Sequence, residues 1–229
     1  MANEPSASAV GRGTAAPITT VISDFGGVLT TPLLHSFMAF QDETGISWES
    51  LGKAMRRSAE RDGAYPLFEL EKGKLTEDEF LGLLATELEP ELGHRPELHG
   101  FREIYFKALN PNEPMVELMR DLRRRGYRMA LLTNNVREWE PLWRSLLPVD
   151  EIFELVVDSA FVGMRKPEPE IYELTLERLG NPDPAECIFI DDVELHVAAA
   201  RELGIAGVHF RDTDQAIGEI EAALGSGAG

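Results

Sequence analysis

Carboxylate side chains directly follow two short apolar runs of the sequence. Asp24 comes after the run 18–23, and Asp191 and Asp192 come after the run 187–190. Three carboxylates at one edge of a sheet would repel one another and raise one another's pKa values. A hard cation such as Mg²⁺, which prefers oxygen ligands in octahedral geometry, relieves that repulsion. If the two runs are neighbouring strands, the sequence predicts a magnesium site at their ends.

Two further segments offer groups that bind an anion. Thr133 and Asn134 follow a third apolar run, 128–132, and supply a hydroxyl, an amide and the N–H donors of a helix N-terminus. Lys166 adds a fixed positive charge, with its backbone restricted by the following Pro167. We therefore expect an anion site beside the carboxylates.

A parallel sheet is needed to bring these residues together. Two more apolar runs, 155–157 and 206–210, bring the number of predicted strands to five. Helical patterns separate the strands, and they cover residues 113–125, 136–147, 168–179, 193–203 and 213–224. Gly126, Gly180 and Gly204 stand where glycine ends a helix. This alternation predicts an α/β fold with right-handed crossovers and a parallel, Rossmann-like sheet of at least five strands.

The stretch between residues 32 and 108 interrupts the alternation. It has helical patterns instead of strands, at residues 33–43, 48–61, 76–88 and 96–108. Thr76 and Glu79 form a capping-box pattern at the start of the third. Ligands of open parallel sheets bind beyond the carboxyl ends of the strands, so a domain inserted there would cover the site. The predicted division is a core domain of residues 18–31 and 109–224, an all-helical cap domain of residues 32–108, and disordered tails at residues 1–17 and 225–229.

Taken together, these segments resemble the haloacid dehalogenase (HAD) superfamily of phosphatases. Its four motifs are matched in order by VISDFGGVLT (21–30), LLTNN (131–135), RKPEPEIY (165–172) and FIDDVELHVAAARELG (189–204). Their spacing fits the subgroup that carries a helical cap after the first motif, and the resemblance covers residues 18–224. It implies Mg²⁺-dependent hydrolysis of a small-molecule phosphate monoester.

The resemblance also implies a role for each catalytic residue. Asp24 is similar to the nucleophile that attacks phosphorus and forms an aspartyl-phosphate, which water then hydrolyses. Thr133 and the backbone of Asn134 would hold the phosphoryl oxygens. Lys166 would neutralise charge on both Asp24 and the phosphoryl group. These donors would supply the electrostatic stabilisation on which phosphoryl transfer depends.

For the metal, the resemblance implies four ligand positions and reveals one departure. Asp192 would bind Mg²⁺ directly and Asp191 directly or through water, while Asp24 and the carbonyl of Gly26 would complete the set. The family's phosphatases have a second aspartate at the position of Gly26, which protonates the leaving group and then activates water. A missing general acid costs roughly 10²–10⁴-fold in rate.

Gly26 therefore leaves two alternatives open. One is a catalytically weak binding or regulatory domain that keeps the fold. The other is a dehalogenase-type hydrolase, although the carboxylate pair after the fourth strand argues against an enzyme that needs no metal. His35 is the best candidate for a replacement proton donor, but a structural role is favoured for it. His196 falls on an apolar helical face and is predicted to be a core or interdomain residue.

Charge and composition limit the partners. The chain has 229 residues, with 22 Lys and Arg against 40 Asp and Glu, which gives a net charge of −18. Such a surface repels nucleic acid and anionic lipid. The arginines of segments 56–61 and 123–125 are expected on solvated helix faces. We expect a small-molecule phosphate as substrate and neither nucleic acid nor membrane as partner; a homodimer and the identity of the substrate stay open.

Sequence features also bear on the compartment. No apolar stretch reaches the length of a membrane span, and residues 1–17 lack the apolar segment of a signal peptide. Cys187 is the one cysteine, so an intrachain disulfide is excluded. A cytoplasmic location is the expectation.

Overall fold

The computed structural model describes residues 16–98 and 100–225, and its centre is a five-stranded parallel sheet. The strands lie in the order β3-β2-β1-β4-β5. Their bounds are β1 Thr20–Ser23, β2 Arg128–Thr133, β3 Leu155–Asp158, β4 Cys187–Asp191 and β5 Ala206–His209. All five predicted strands are present, which confirms the parallel α/β fold. Most of the predicted tails, residues 1–15 and 226–229, lie outside the described residues.

The register of the sheet decides which residues meet. Ser23, the last residue of β1, pairs with Leu131 of β2 on one side and with Ile190 of β4 on the other. Because parallel strands run in the same direction, Asp24 and Asp191 leave the sheet at the same edge. Every residue of β1 and β4 is buried, as expected for central strands covered on both faces.

Of the six described helices between β1 and β2, the first five lie within residues 33–108. They are α1 Leu33–Thr44, α2 Trp48–Asp62, α3 Pro66–Glu71, α4 Glu77–Leu92 and α5 Phe101–Ala108. We refer to residues 33–108 as the helical insert. Thr76 caps α4 through the predicted capping box with Glu79. The helix predicted at residues 96–108 begins only at Phe101, since residues 95–98 have no regular structure.

Seven helices complete the described fold. They are α6 Glu113–Arg124, α7 Glu140–Ser145, α8 Val149–Ile152, α9 Ser159–Val162, α10 Pro169–Arg178, α11 Glu194–Glu202 and α12 Thr213–Gly225. The single helix predicted at residues 136–147 is instead a 3₁₀ turn, Arg137–Trp139, followed by α7. Gly126, Gly180 and Gly204 have φ values of +93°, +81° and +87°, so the predicted helix-ending glycines are confirmed.

Two apolar clusters pack against the sheet. One lies on the face that contains Ile22, Leu132 and Phe189. The other starts from Val21 and Ile188 on the opposite face and continues into the helical insert. The insert therefore shares a core with the sheet. None of the described helices combines the length and the apolarity that crossing a membrane requires.

Candidate active site

Lys166 lies at the centre of the site with 1% of its surface exposed. Its Nζ is 2.7 Å from Asp24 Oδ1, 2.6 Å from Asp191 Oδ2 and 2.9 Å from the carbonyl oxygen of Leu132. All three ammonium donors thus have acceptors. Although burial alone would lower it, the two carboxylates hold the pKa of Lys166 above its usual value.

Asn134 fixes the backbone of this lysine. Its Oδ1 accepts a hydrogen bond from Lys166 N at 2.8 Å, and its Nδ2 donates one to Lys166 O at 3.0 Å. The amide that the sequence offers to an anion is therefore engaged in positioning Lys166. The backbone of Asn134, together with Thr133 at the end of β2, still lines the same cavity.

Three carboxylates gather beside the lysine. Asp24, Asp191 and Asp192 each bring an oxygen to within 4.8 Å of the others. Burial, with added repulsion from Asp191, raises the pKa of Asp24 to about 6 even against the attraction of Lys166. Burial and the charges of both other carboxylates raise the pKa of Asp192 to about 7. The site therefore holds more negative charge than its own lysine compensates.

Asp191 differs from the other two carboxylates. Its Oδ1 accepts a hydrogen bond from Val193 N at 2.8 Å, its Oδ2 accepts one from Lys166, and the Nδ1 of His196 lies 3.1 Å from both oxygens. Burial would raise its pKa, but Lys166 and then His196 outweigh burial and hold the pKa below its usual value. Asp191 thus remains charged and orients its neighbours.

Gly27 makes room for Asp192. Its φ is +77°, and a Cβ at this position would overlap Asp192 Oδ2. Only glycine suits both the backbone conformation and the space. Sequence reasoning gave Gly27 no role, although two consecutive glycines shortly after a strand-end aspartate, with only Phe25 between, are a signal of close backbone approach.

The position of the missing carboxylate is also clear. A Cβ at Gly26 would lie 3.2 Å from both methyl carbons of Leu33, the first residue of α1. The space where the family's second aspartate would begin therefore faces an apolar side chain of the helical insert. This contact depends on tertiary packing, and the sequence gives no sign of it.

A cavity of about 490 Å³ connects the carboxyl edge of the sheet with the helical insert. Asp24, Thr133, Lys166 and Asp192 form its polar end. Its volume lies in the range of roughly 300–1,000 Å³ that is typical of small-molecule sites. The structure thus brings the predicted nucleophile, anion-binding residues and carboxylates to one end of one cavity.

The structure also shows where the histidines and arginines discussed in the sequence analysis lie. His196 lines the cavity as well as contacting Asp191, so its place at the insert-facing edge of the core agrees with an interdomain residue. His35 is exposed and is not among the residues that line the cavity. Arg57 and Arg61 form ion pairs with Glu87 on the outer face of the insert, as expected for a solvated face.

The donor set suits a hard divalent cation. Carboxylate oxygens are the ligands that Mg²⁺ prefers. Burial, and to a smaller extent repulsion between the carboxylates, raises the pKa values of Asp24 and Asp192, and a bound cation would offset both effects. Gly27 leaves Asp192 the space to approach, and Gly26 contributes backbone at the same point. The residues present therefore fit the group expected from the sequence.

Comparison with known proteins identifies the family. The model of the haloacid dehalogenase-like hydrolases matches residues 18–204. The chain belongs to this family. It is a HAD-like hydrolase, and its parallel α/β sheet is consistent with the fold of that family.

Sequence relatives of this hydrolase have different names. Bifunctional epoxide hydrolase 2 of Sus scrofa is 29% identical over 89% of the chain, but the match covers only 38% of that protein. Sesquiterpene phosphatase astK of Aspergillus oryzae is 28% identical over 89% of the chain and is covered over 95% of its own length. The chain therefore spans less than half of the first relative and nearly all of the second.

A solved structure is also similar to this HAD-like hydrolase. A HAD family enzyme of Bacteroides thetaiotaomicron, in complex with magnesium and inorganic phosphate, superposes with a TM-score of 0.62 at 26% identity. The match covers 83% of this chain and 93% of that one. That enzyme binds both species that the sequence analysis expects here.

Proposed function

We propose that this HAD-like hydrolase is a Mg²⁺-dependent phosphatase that hydrolyses small-molecule phosphate monoesters through an aspartyl-phosphate on Asp24. The observation that carries the proposal is the contact of 2.7 Å between Asp24 and the buried Lys166, beside a carboxylate cluster at the polar end of a cavity. The phosphatase relative and the magnesium and phosphate complex of the similar structure support it.

Each polar residue of the site has a role in this proposal. Mg²⁺, when bound by Asp24, Asp192 and the carbonyl of Gly26, supplies charge compensation for the phosphoryl oxygens. Asp191, whose oxygens already have internal partners, would add negative charge beside the cation and keeps Lys166 in place. Thr133 and the backbone of Asn134 hold the phosphoryl oxygens.

Two displacement steps follow from this arrangement. In the first, a carboxylate oxygen of Asp24 forms a bond to phosphorus while the bond between phosphorus and the ester oxygen breaks. Lys166 stabilises the charge on the transferred group throughout. In the second, a water oxygen forms a bond to phosphorus while the bond between phosphorus and the Asp24 oxygen breaks. The water gives up a proton to solvent, inorganic phosphate is released and the carboxylate of Asp24 is restored.

Proton transfer to the leaving group is the weak point of the site. Position 26 has no side chain, and Leu33 occupies the adjacent space. The leaving oxygen therefore takes its proton from water, and turnover is slower than with a positioned acid by up to roughly 10²–10⁴-fold. The same observation favours a second candidate, a binding or regulatory domain that holds a phosphorylated ligand with little turnover.

The proposal extends to the organisation of the chain. We assign residues 32–108 to a cap domain and residues 18–31 and 109–224 to the core domain, because the insert covers the edge where the site lies. We also propose a cytoplasmic location, which the buried lone Cys187 supports.

A panel of phosphate monoesters tests the function. We expect phosphate release that requires Mg²⁺, stops with EDTA and falls at least about 10³-fold in Asp24→Asn. Asp183→Asn, which alters an exposed aspartate far along the chain, is the matched control. Phosphate release that survives Asp24→Asn would contradict the proposal. Tight binding of a phosphorylated ligand without turnover would favour the binding domain, and halide release unaffected by EDTA would favour a dehalogenase.

A further inference from the structure

All five helices of the insert contribute apolar side chains to the wall of the cavity. The wall residues from the insert include Leu33, Phe37, Trp48, Leu51, Met55, Leu70, Phe80, Leu84, Phe101 and Tyr105. The aromatic rings of the wall contact one another and a ring of the core. The ring centroids of Phe37 and Trp48 are 4.3 Å apart, and the ring of Tyr105 lies 4.9 Å from that of Trp139 in the 3₁₀ turn. A wall of this composition binds a ligand by burying apolar surface.

The charged side chains of the insert that line the cavity are already in ion pairs. Two carboxylates face the cavity, and both are paired: Glu71 Oε2 lies 2.6 Å from Arg165 Nε, and Glu77 Oε2 lies 3.0 Å from Arg102 Nη1. Among the described residues of the insert, no serine, threonine, asparagine, glutamine or histidine lines the cavity. Tyr105 does bring a hydroxyl to this lining, so a sugar would find a partner for one of its hydroxyl groups while the others lose their water without gaining one.

The mouth of the cavity is apolar as well. Trp48 and Phe68 of the insert and Val193 and Leu195 of the core line the cavity and are between 40% and 64% exposed. Exposed apolar side chains grouped at the opening of a cavity mark a place where an apolar ligand enters. Asp24, Thr133 and Lys166, the residues proposed to act on the phosphate, line the same cavity at the carboxyl edge of the sheet.

We propose that this cavity selects amphiphilic phosphate monoesters, in which a phosphate at the sheet edge is joined to a hydrocarbon alcohol that fills the space among α1, α2, α4 and α5. This substrate class rests on the proposed phosphatase function. One charged end and one long apolar wall match a ligand with one charged end and an apolar body. Leu33 beside Gly26 belongs to that wall and packs against the first carbons of the alcohol.

The length of the alkyl chain in the substrate is the variable that tests the proposal. Phosphate release is measured with Mg²⁺ on monoalkyl phosphates from ethyl to dodecyl, below their micelle-forming concentrations, with glucose 6-phosphate as the polar comparison. We expect kcat/KM to rise about fourfold per added methylene (~0.8 kcal/mol) and then to level off when the cavity is full. A flat profile, or a preference for the sugar phosphate over octyl phosphate, would overturn the proposal.

Two leucine-to-phenylalanine substitutions test whether the alkyl chain of the substrate lies in the cavity. Leu84→Phe adds volume to the cavity wall, whereas Leu34→Phe adds it at an exposed position of α1 that does not line the cavity. We expect the ratio of kcat/KM for decyl phosphate to that for ethyl phosphate to fall about tenfold in Leu84→Phe and to stay unchanged in Leu34→Phe. An unchanged ratio in a folded Leu84→Phe protein, judged by its thermal melting, contradicts the proposal.

A binding measurement on the wild-type protein separates this inference from the proposed function and does not depend on any variant folding. Trp48 and Trp139 line the cavity, so binding of 1-decanol is expected to change tryptophan fluorescence saturably, with ethanol as the inactive comparison. If decanol binds but no ester is hydrolysed, the phosphatase proposal fails and the apolar site stands. If esters are hydrolysed but decanol does not bind, the substrate class is wrong and the phosphatase stands.

Discussion

A single buried lysine shared by two carboxylates determines the chemistry of the site. Lys166 neutralises one charge among Asp24, Asp191 and Asp192, so the cluster keeps an excess of negative charge in a largely buried place. Burying charge without compensation is costly, and the raised pKa values of two of these carboxylates express that cost. Under the proposed function, a bound cation would offset this excess charge and would favour a phosphate beside it.

Gly27 gives a prediction that separates the backbone strain of a positive φ from steric overlap with Asp192. Gly27→Ala places a Cβ against Asp192 Oδ2, whereas Gly45→Ala places one in open space at nearly the same φ, +73° against +77°. Both variants carry the left-handed strain of about 1–2 kcal/mol. We expect only Gly27→Ala to weaken Mg²⁺ binding, about 10- to 100-fold by calorimetric titration. Equal Mg²⁺ affinity in the two variants would show that Gly27 does not position Asp192.

Gly26 and Leu33 give a second prediction. Gly26→Asp alone puts a carboxylate against the methyl groups of Leu33, so we expect little or no gain in phosphate release. Gly26→Asp combined with Leu33→Ala opens the space, and we expect kcat at least tenfold above that of Gly26→Asp. Leu33→Ala alone controls for the enlarged cavity. A large gain from the single Gly26→Asp change would mean that Leu33 does not obstruct this position.

At the scale of elements, the strands and their polar ends could be predicted from the sequence. Each strand is a short apolar run, three of these runs end in residues with a predicted chemical role, and the parallel order brings those ends to one edge. The helices α3, α8 and α9 could not be predicted, because four to six residues are too few to establish a helical period. The contacts of His196 with Asp191 and of Leu33 with Gly26 depend on packing between elements, which spacing along the chain does not encode.

Asp158, at the end of β3, gives a prediction about stability and pH. Its carboxylate caps α9 through Ala160 N at 3.0 Å, and burial raises its pKa to about 7. The folded protein therefore binds a proton that the unfolded chain releases above about pH 4, so this group lowers the free energy of unfolding as pH rises from 4 to 7. Asn keeps the cap without the charge. We expect the stability of Asp158→Asn relative to wild type to rise by roughly 2–4 kcal/mol between pH 4.5 and pH 8.

The measurement for Asp158 is urea unfolding at a series of pH values. Asp183→Asn is the matched control, because Asp183 caps the 3₁₀ turn Pro184–Glu186 through the same kind of bond, to Ala185 N at 2.9 Å, at an exposed position. A stability difference for Asp158→Asn that does not change with pH would contradict the assignment of a buried charge to Asp158.

For the whole molecule, a net charge of −18 repels a phosphorylated ligand at long range. The charge at the carboxyl edge of the sheet differs from the charge of the surface as a whole. Many surface acids are paired with arginines, as in the contacts of Glu154 with Arg123 and Arg128. At the sheet edge, Lys166 and the backbone after β2 face the place where a phosphate would lie. A bound cation would change the sign of the local field there, so the remaining negative charge has no bearing on recognition at this point.

The same balance predicts how the stability of the whole protein responds to magnesium. At pH 8 and in EDTA, the charge of Asp192 costs free energy, because burial and its two carboxylate neighbours raise its pKa to about 7. Asp192→Asn removes that cost, and we expect it to be about 1–3 kcal/mol more stable than wild type. Mg²⁺ at 100 times its Kd adds about 2.7 kcal/mol to the free energy of unfolding of the wild type alone. The difference between the two Tm values therefore becomes smaller or changes sign. Asp42→Asn, an exposed change of equal charge on α1, should do neither. Thermal melting at constant ionic strength measures all three proteins, and a Mg²⁺ shift retained in Asp192→Asn would place the cation elsewhere.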